Sequence, residues 1–217
     1  MFSNNVKRLL VQHIKCSIRT TSVRCLSAAE DVASLSSKPN TNYKGDYDVI
    51  IAGGGMVGCS LACALAKDSL LSHLKVLLLE GGPNKNFELK PEYSNRVVAL
   101  NQNTKALMTS LDVWRHVESM RLQPVKHMQV WDACSDVMIA FNSEELLDDD
   151  VAYIVENDVM LHAINKELST AKKENTNIVY NAKIAGYQLP HQDDLKPMTC
   201  VEMANGDIYT CKLLFVQ

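Results

Sequence analysis

Tyr47-Asp48-Val49-Ile50-Ile51-Ala52-Gly53-Gly54-Gly55-Met56-Val57-Gly58 is the stretch from which the fold is read. Val49 to Ala52 is a short apolar run of the kind that forms a strand buried on both faces. It opens directly onto G-x-G-x-x-G at Gly53, Gly55 and Gly58, and an amphipathic segment from Met56 to about Lys67 follows. A second apolar run, Val76 to Leu79, ends on the acid Glu80. Strand, glycine turn, helix, strand and acid, in that order, make up the dinucleotide-binding fingerprint. Gly53 serves the tight turn, Gly55 bares the backbone to a pyrophosphate, and Gly58 lets the helix pack closely on the strand. Gly54 stands inside the same phosphate-facing turn. The helix start offers unpaired N–H groups and a positive dipole end to phosphates. Glu80 lies about 20 residues beyond the motif, where a carboxylate accepts from ribose hydroxyls. A carboxylate there repels a 2′-phosphate, so the ligand read from these residues is NAD or the ADP half of FAD.

The totals fit one large globular domain or one and a half small ones. The chain has 217 residues, 47% of them hydrophobic and 22% charged. No apolar run approaches the ~20 residues that span a bilayer. The net charge of −3 is unevenly spread: residues 1–29 carry five basic side chains and no acid, which leaves −8 on the remainder. An acidic body argues against a nucleic-acid surface. The seven cysteines are Cys16, Cys25, Cys59, Cys63, Cys134, Cys200 and Cys211. They form no C-x-x-C and are odd in number, so buried reduced thiols are expected rather than disulfides or a metal site.

Residues 1–40 read as a leader and linker. The stretch to Ala29 is basic and rich in Ser and Thr, with Val6, Leu9, Leu10, His13 and Ile14 near helical spacing, the composition of a mitochondrial transit peptide. Ser34 to Asp46 reads as a polar linker, with the domain running from 46 to 217. Gly81-Gly82-Pro83 is a chain break. Val97 to Leu100 is a short strand. Asn101 to Thr104 offers N-cap candidates for a helix to Leu111, and Trp114, Val117 and Met120 continue as a second short helix. His127 to Asp132 and Val137 to Phe141 pair as a hairpin. Glu144 to Asp150 is an acidic loop whose spacing matches no calcium loop, and no metal site is expected. Asn157 is a cap candidate for a helix to about Lys172 that buries Val159, Leu161, Ile164 and Leu168. Asn177 to Tyr180, Lys183 to Leu189 and Met198 to Met203 are strands, and Asn205-Gly206 turns the chain into a last strand, Ile208 to Val216.

Five stretches together resemble a known family. They are Tyr47 to Gly58, Leu77 to Gly82, Tyr93-Ser94-Asn95-Arg96, Met128-Gln129-Val130-Trp131-Asp132-Ala133-Cys134-Ser135, and Tyr153 to Val159. The family is the FAD-dependent aromatic hydroxylases of the p-hydroxybenzoate hydroxylase fold, and within it the mitochondrial ubiquinone-biosynthesis branch. The resemblance implies an α/β, FAD-binding Rossmann-like domain with inserted antiparallel strands, those around 125–142 belonging to a substrate domain. It implies that Gly53, Gly54, Gly55 and Gly58 hold the FAD pyrophosphate, Glu80 the adenosine ribose, and Arg96 the flavin side. Glu156 or Asn157 would make a polar flavin contact at a helix start, although Asn157 serves equally as a cap. The family continues after its last strand here with Gly-Ala-Asp-Gly, where this chain has Val216-Gln217. The expectation is therefore a C-terminally truncated, N-terminal portion of such an enzyme.

The activity implied is hydroxylation, with O₂, of a polyprenyl hydroxybenzoate or related polyprenyl phenol at C5. Electrons would come from a ferredoxin-type donor. The setting implied is peripheral, on the matrix side of the inner mitochondrial membrane, among other ubiquinone-biosynthesis proteins. No side chain stands out as a catalytic acid or base. Two alternatives remain at this point: an NAD-dependent dehydrogenase, and a shortened chain without activity.

Overall fold

The computed structural model describes residues 42–84, 86–143, 150–171, 174–190 and 198–217. The leader and linker expected over residues 1–40, and all of the expected acidic loop Glu144 to Asp150 except Asp150, lie outside the described residues.

The first strand, β1 (Tyr43–Ala52), leads through the glycine turn to α1 (Met56–Lys67) and β2 (Val76–Leu79). Then come β3 (Val97–Leu100), α2 (Gln102–Ser110), α3 (Trp114–Glu118), β4 (Gln123–Val125), β5 (His127–Trp131) and β6 (Met138–Asn142). The chain continues with β7 (Ala152–Glu156), α4 (Asn157–Ala171), β8 (Thr176–Val179), β9 (Ile184–Gln188), β10 (Thr199–Met203) and β11 (Ile208–Val216). The main sheet has the order β8-β2-β1-β11-β10-β9. Its first four strands are parallel, and β10 and β9 join antiparallel. A separate antiparallel sheet has the order β3-β7-β4, and β5 and β6 form a hairpin of their own.

Side chains alternate across the main sheet, as a strand period of two requires. Val49, Ile51, Val76 and Leu78 point to one face, where Cys59, Ala62 and Cys63 of α1 meet Ala163, Ile164 and Leu168 of α4. The small residues of α1 permit close approach. Ile50, Leu77 and Leu79 point to the other face, against Val201, Tyr209 and Cys211. Each fully buried aliphatic side chain of this kind contributes about 1.5–3 kcal/mol. Behind the helices, buried Glu167 of α4 accepts from Lys67 Nζ of α1 at 2.7 Å, and from Arg115 Nη2 and His116 Nε2 of α3, each at 3.0 Å. This one carboxylate ties three helices together.

Two local expectations change. Tyr43 to Asp46 is not linker. These residues lengthen β1 and pair with Ile208 to Thr210 of β11, with a register shift at Gly45, whose φ is +135°. The polar side chains that disguise the strand are paired: Lys44 with Asp207 at 3.3 Å, and Asp46 with the Thr210 hydroxyl. Asn157, expected as a possible cap, is the first residue of α4; its N–H donates to Arg96 O at 3.0 Å, and its side-chain Oδ1 accepts from no group among the described residues. Asn101 does cap α2, accepting from Thr104 N at 2.9 Å.

Candidate functional site

The site begins where β1 ends. Gly53 turns the chain at φ +118°, a conformation glycine adopts without strain. Its N–H donates to Leu79 O at 2.9 Å, which fixes the turn to β2. A β-carbon at Gly58 would lie 2.0 Å from Gly53 O, so helix and turn touch backbone to backbone. One at Gly54 would lie 2.5 Å from Glu80 Oε2. Gly55 caps α1 without a side chain, and Met56 and Val57 at the helix start have no intrahelical acceptor for their N–H groups. The Gly58 N–H donates to Gln217 Oε1 at 2.9 Å.

Glu80 is oriented from two sides. Its Oε2 accepts from Gly54 N at 2.6 Å and its Oε1 from Gly82 N at 2.7 Å. Each carboxylate oxygen keeps a further lone pair for an outside donor. The backbone around it is also held, with Glu80 N donating to Val179 O at 2.9 Å and Ala182 N to Glu80 O at 2.8 Å.

From this acid a cleft of about 1460 Å³ continues past Gly82 to Tyr93, Ser94, Arg121 and Glu156, with Val159 and His162 of α4 along it. Phe87 stacks on His162, with ring centroids 4.4 Å apart and the planes at 19°. Burial, then the charges of Lys166 and His116, push the His162 pKa down, so this ring is neutral at pH 7. At the far end Arg121 Nε meets Glu156 Oε2 at 2.6 Å, and Nη2 meets Oε1 at 3.2 Å. The same guanidinium donates to Pro91 O at 3.2 Å and Glu92 O at 3.1 Å, and lies 4.4 Å from the Tyr93 ring. The Ser94 N–H donates to Glu156 Oε1. That bond, followed by Arg121, holds the Glu156 carboxyl below the usual range against the opposing effect of burial.

Four of the residues singled out from the sequence therefore share one cleft: Gly54, Gly55, Glu80 and Glu156. Gly53 and Gly58 stand behind them and shape the turn. Arg96 is exposed, and among the described residues its guanidinium makes no ion pair. Asn157 Oδ1 is buried and has no hydrogen-bond partner among the described residues. Sequence reasoning missed Arg121 and Gln217. Arg121 lies in Met120-Arg121-Leu122, a context with no motif, and only its tertiary contacts with Glu156 and Tyr93 mark it. No helix among the described residues is long and apolar enough to cross a membrane. No group of three or more His, Cys, Asp or Glu among them is arranged to hold a metal ion.

No protein-family model matches the chain. It is 40% identical over 196 residues to the Xenopus tropicalis protein named ubiquinone biosynthesis monooxygenase COQ6, mitochondrial, covering 88% of this chain and 40% of that protein. The Homo sapiens protein of that name is 40% identical over 172 residues, 77% of this chain and 36% of that one. The Drosophila melanogaster one is 40% identical over 207 residues, 90% and 41%. The chain thus spans about 40% of the length of the curated relatives it matches. Among solved structures, p-nitrophenol 4-monooxygenase PnpA from Pseudomonas putida superposes with a TM-score of 0.59 at 17% identity, over 80% of this chain and 41% of that one. PqsL from P. aeruginosa, in complex with 2-aminobenzoylacetate, gives 0.58 at 14% identity, over 78% and 42%. These likenesses bear out the fold class read from the sequence, a mixed α/β Rossmann-like domain of the p-hydroxybenzoate hydroxylase type.

Proposed function

We propose that this chain, which belongs to the ubiquinone biosynthesis monooxygenase family over the part of those proteins that it spans, is the dinucleotide-binding portion of an FAD-dependent aromatic hydroxylase. One observation carries the reading: a single cleft joins the bare glycine turn, the doubly oriented Glu80 and the Arg121–Glu156 pair.

The residues fit an extended dinucleotide. Gly54 and Gly55 bring backbone to the pyrophosphate, and the free N–H groups of Met56 and Val57 donate to it at the positive end of α1. Gly53 and Gly58 hold that turn in shape. Glu80 takes the ribose hydroxyls on its remaining lone pairs. At the other end the Arg121–Glu156 pair fixes the segment before Arg96, and Arg96 would serve the flavin side. Asn157 Oδ1, which has no partner among the described residues, is an acceptor suited to a flavin N–H. When bound, FAD supplies the electron transfer to O₂ and the ring oxidation, and the protein supplies binding, orientation and electrostatics.

In this reading the substrate is a polyprenyl phenol or hydroxybenzoate, oxidised at C5, with a ferredoxin-type protein as electron donor. The setting is the matrix face of the inner mitochondrial membrane, touched peripherally, beside other ubiquinone-biosynthesis proteins. The names of the relatives support the mitochondrion and the pathway. The alternative of an NAD-dependent dehydrogenase is less well supported, because β9, β10 and β11 form an antiparallel run where continued strand–helix alternation would be expected.

The test is a titration of the chain with FAD and, separately, with NAD, followed by quenching of flavin fluorescence and by calorimetry. FAD binding that weakens tenfold or more in Glu80→Ala is expected. Undiminished FAD affinity in that variant, or preference for NAD, overturns the proposal.

A further inference from the structure

The glycine turn encloses a side chain of the protein itself. Gln217 N donates to Ala52 O at 3.0 Å, which extends the pairing of β11 with β1 and carries residue 217 to the mouth of the turn. From there its carboxamide enters the fingerprint. Oε1 accepts from Gly58 N at 2.9 Å. β-Carbons built at the three fingerprint glycines would meet this one side chain: Gly53 at 3.1 Å from its Cβ, Gly55 at 2.7 Å from its Nε2, and Gly58 at 3.1 Å from its Oε1.

A carboxamide oxygen on a helix-N-terminal amide occupies a position of the kind a phosphate oxygen takes. It satisfies a donor that would otherwise be offered to the ligand, and it fills the space that the glycines leave bare. We propose that Gln217 is an internal competitor for the pyrophosphate subsite, a plug that the dinucleotide must displace. This rests on the reading of the cleft as a dinucleotide site and adds its regulation.

The chemistry gives the variants opposite signs. Gln217→Ala removes the competing acceptor and frees Gly58 N. The bond lost is a neutral one, typically worth about 0.5–1.5 kcal/mol, so FAD and ADP should bind roughly two- to twelvefold more tightly. Gln217→Glu places a charged acceptor at the positive end of α1, which holds the plug more firmly and repels the pyrophosphate, so both ligands should bind more weakly than to the parent chain. A side chain that merely supports the strand would make both substitutions weaken binding.

The experiment measures FAD affinity by fluorescence quenching and ADP affinity by calorimetry, on the parent chain, Gln217→Ala, Gln217→Glu and Glu80→Ala, each first shown to be folded by circular dichroism. Tighter binding in the alanine variant with weaker binding in the glutamate variant supports the plug. Equal or weaker binding in Gln217→Ala, with parent binding still dependent on Glu80, overturns the plug and leaves the dinucleotide site standing. Binding by neither the parent nor any variant overturns both.

Discussion

A β-carbon at Gly58 would stand 2.0 Å from the carbonyl oxygen of Gly53, far inside any van der Waals contact. The first turn of α1 is thus pressed against the end of β1 with no room for a side chain. The obstacle is backbone, which cannot swing aside. Gly58→Ala is expected to destabilise the chain by about 2 kcal/mol or more, as overpacking against a rigid neighbour does. Gly81→Ala is the control, because a β-carbon there meets nothing within 4 Å; it should stay within about 0.5 kcal/mol of the parent. Urea unfolding of the two variants checks this, and equal midpoints would refute the close packing.

Acid should loosen the helix layer through Glu167. Burial alone would push its pKa up, but hydrogen bonds from Lys67, Arg115 and His116 outweigh it and hold the carboxyl at about 2, below its ordinary 4.5. A depressed carboxylate stabilises the fold at pH values above its unfolded pKa. That contribution drains away as pH falls from about 4.5 through about 2. With Arg115 largely exposed and screened, it is on the order of 2 kcal/mol. In Glu167→Gln this part of the acid dependence should vanish. Identical acid-unfolding slopes for parent and variant would show that the carboxylate is not linked to folding.

The Arg121–Glu156 pair is expected to hold Ser94 as well as itself. Arg121→Met leaves a buried carboxylate without its cation, which typically costs about 3–5 kcal/mol, and somewhat less here because the guanidinium is partly exposed. The distinctive consequence is local. The Ser94 N–H, which donates to Glu156, should exchange with solvent faster in Arg121→Met. Unchanged protection at Ser94 would confine the pair's role to global stability.

The core thiols should be inert in the native state. Burial pushes Cys59 up to about 12, and Cys63 and Cys211 up to about 11, so few of these thiols are thiolate near neutrality. Cys134, in contrast, is exposed beside the β5–β6 turn. In a Cys16→Ser, Cys25→Ser background, a thiol reagent should modify Cys134 on the order of a hundredfold faster than those three. Native labelling of Cys59 at the rate of Cys134 would contradict the closed packing beneath the glycine turn.

The elements read from sequence are those whose causes lie within a few residues of each other. Met56 to Lys67 and Val76 to Leu79 form as expected, the first because its amphipathic segment starts at the glycine turn and the second because its continuous apolar run ends on Glu80. The hairpin of His127 to Trp131 with Met138 to Asn142 also forms, although Trp131 stays 70% exposed, so its apolar residues mark the strands without burying them. The first part of β1 was misread because Tyr43 to Asp46 is polar and its partners, Ile208 to Thr210, lie at the other end of the chain.

What the sequence by itself determined was the order strand, turn, helix, strand, acid, and with it the parallel core and the place of Glu80. A missing side chain, an apolar period and a bend are properties of adjacent residues, and they act before the chain closes on itself. Only the tertiary structure decided which groups meet across the fold: Gly58 with Gln217, Arg121 with Glu156, Lys67 with Glu167. Those contacts join residues 159, 35 and 100 positions apart. They exist because β11 lies directly against β1 and α4 packs on α1, an arrangement set by the burial of whole faces that no short window of residues contains.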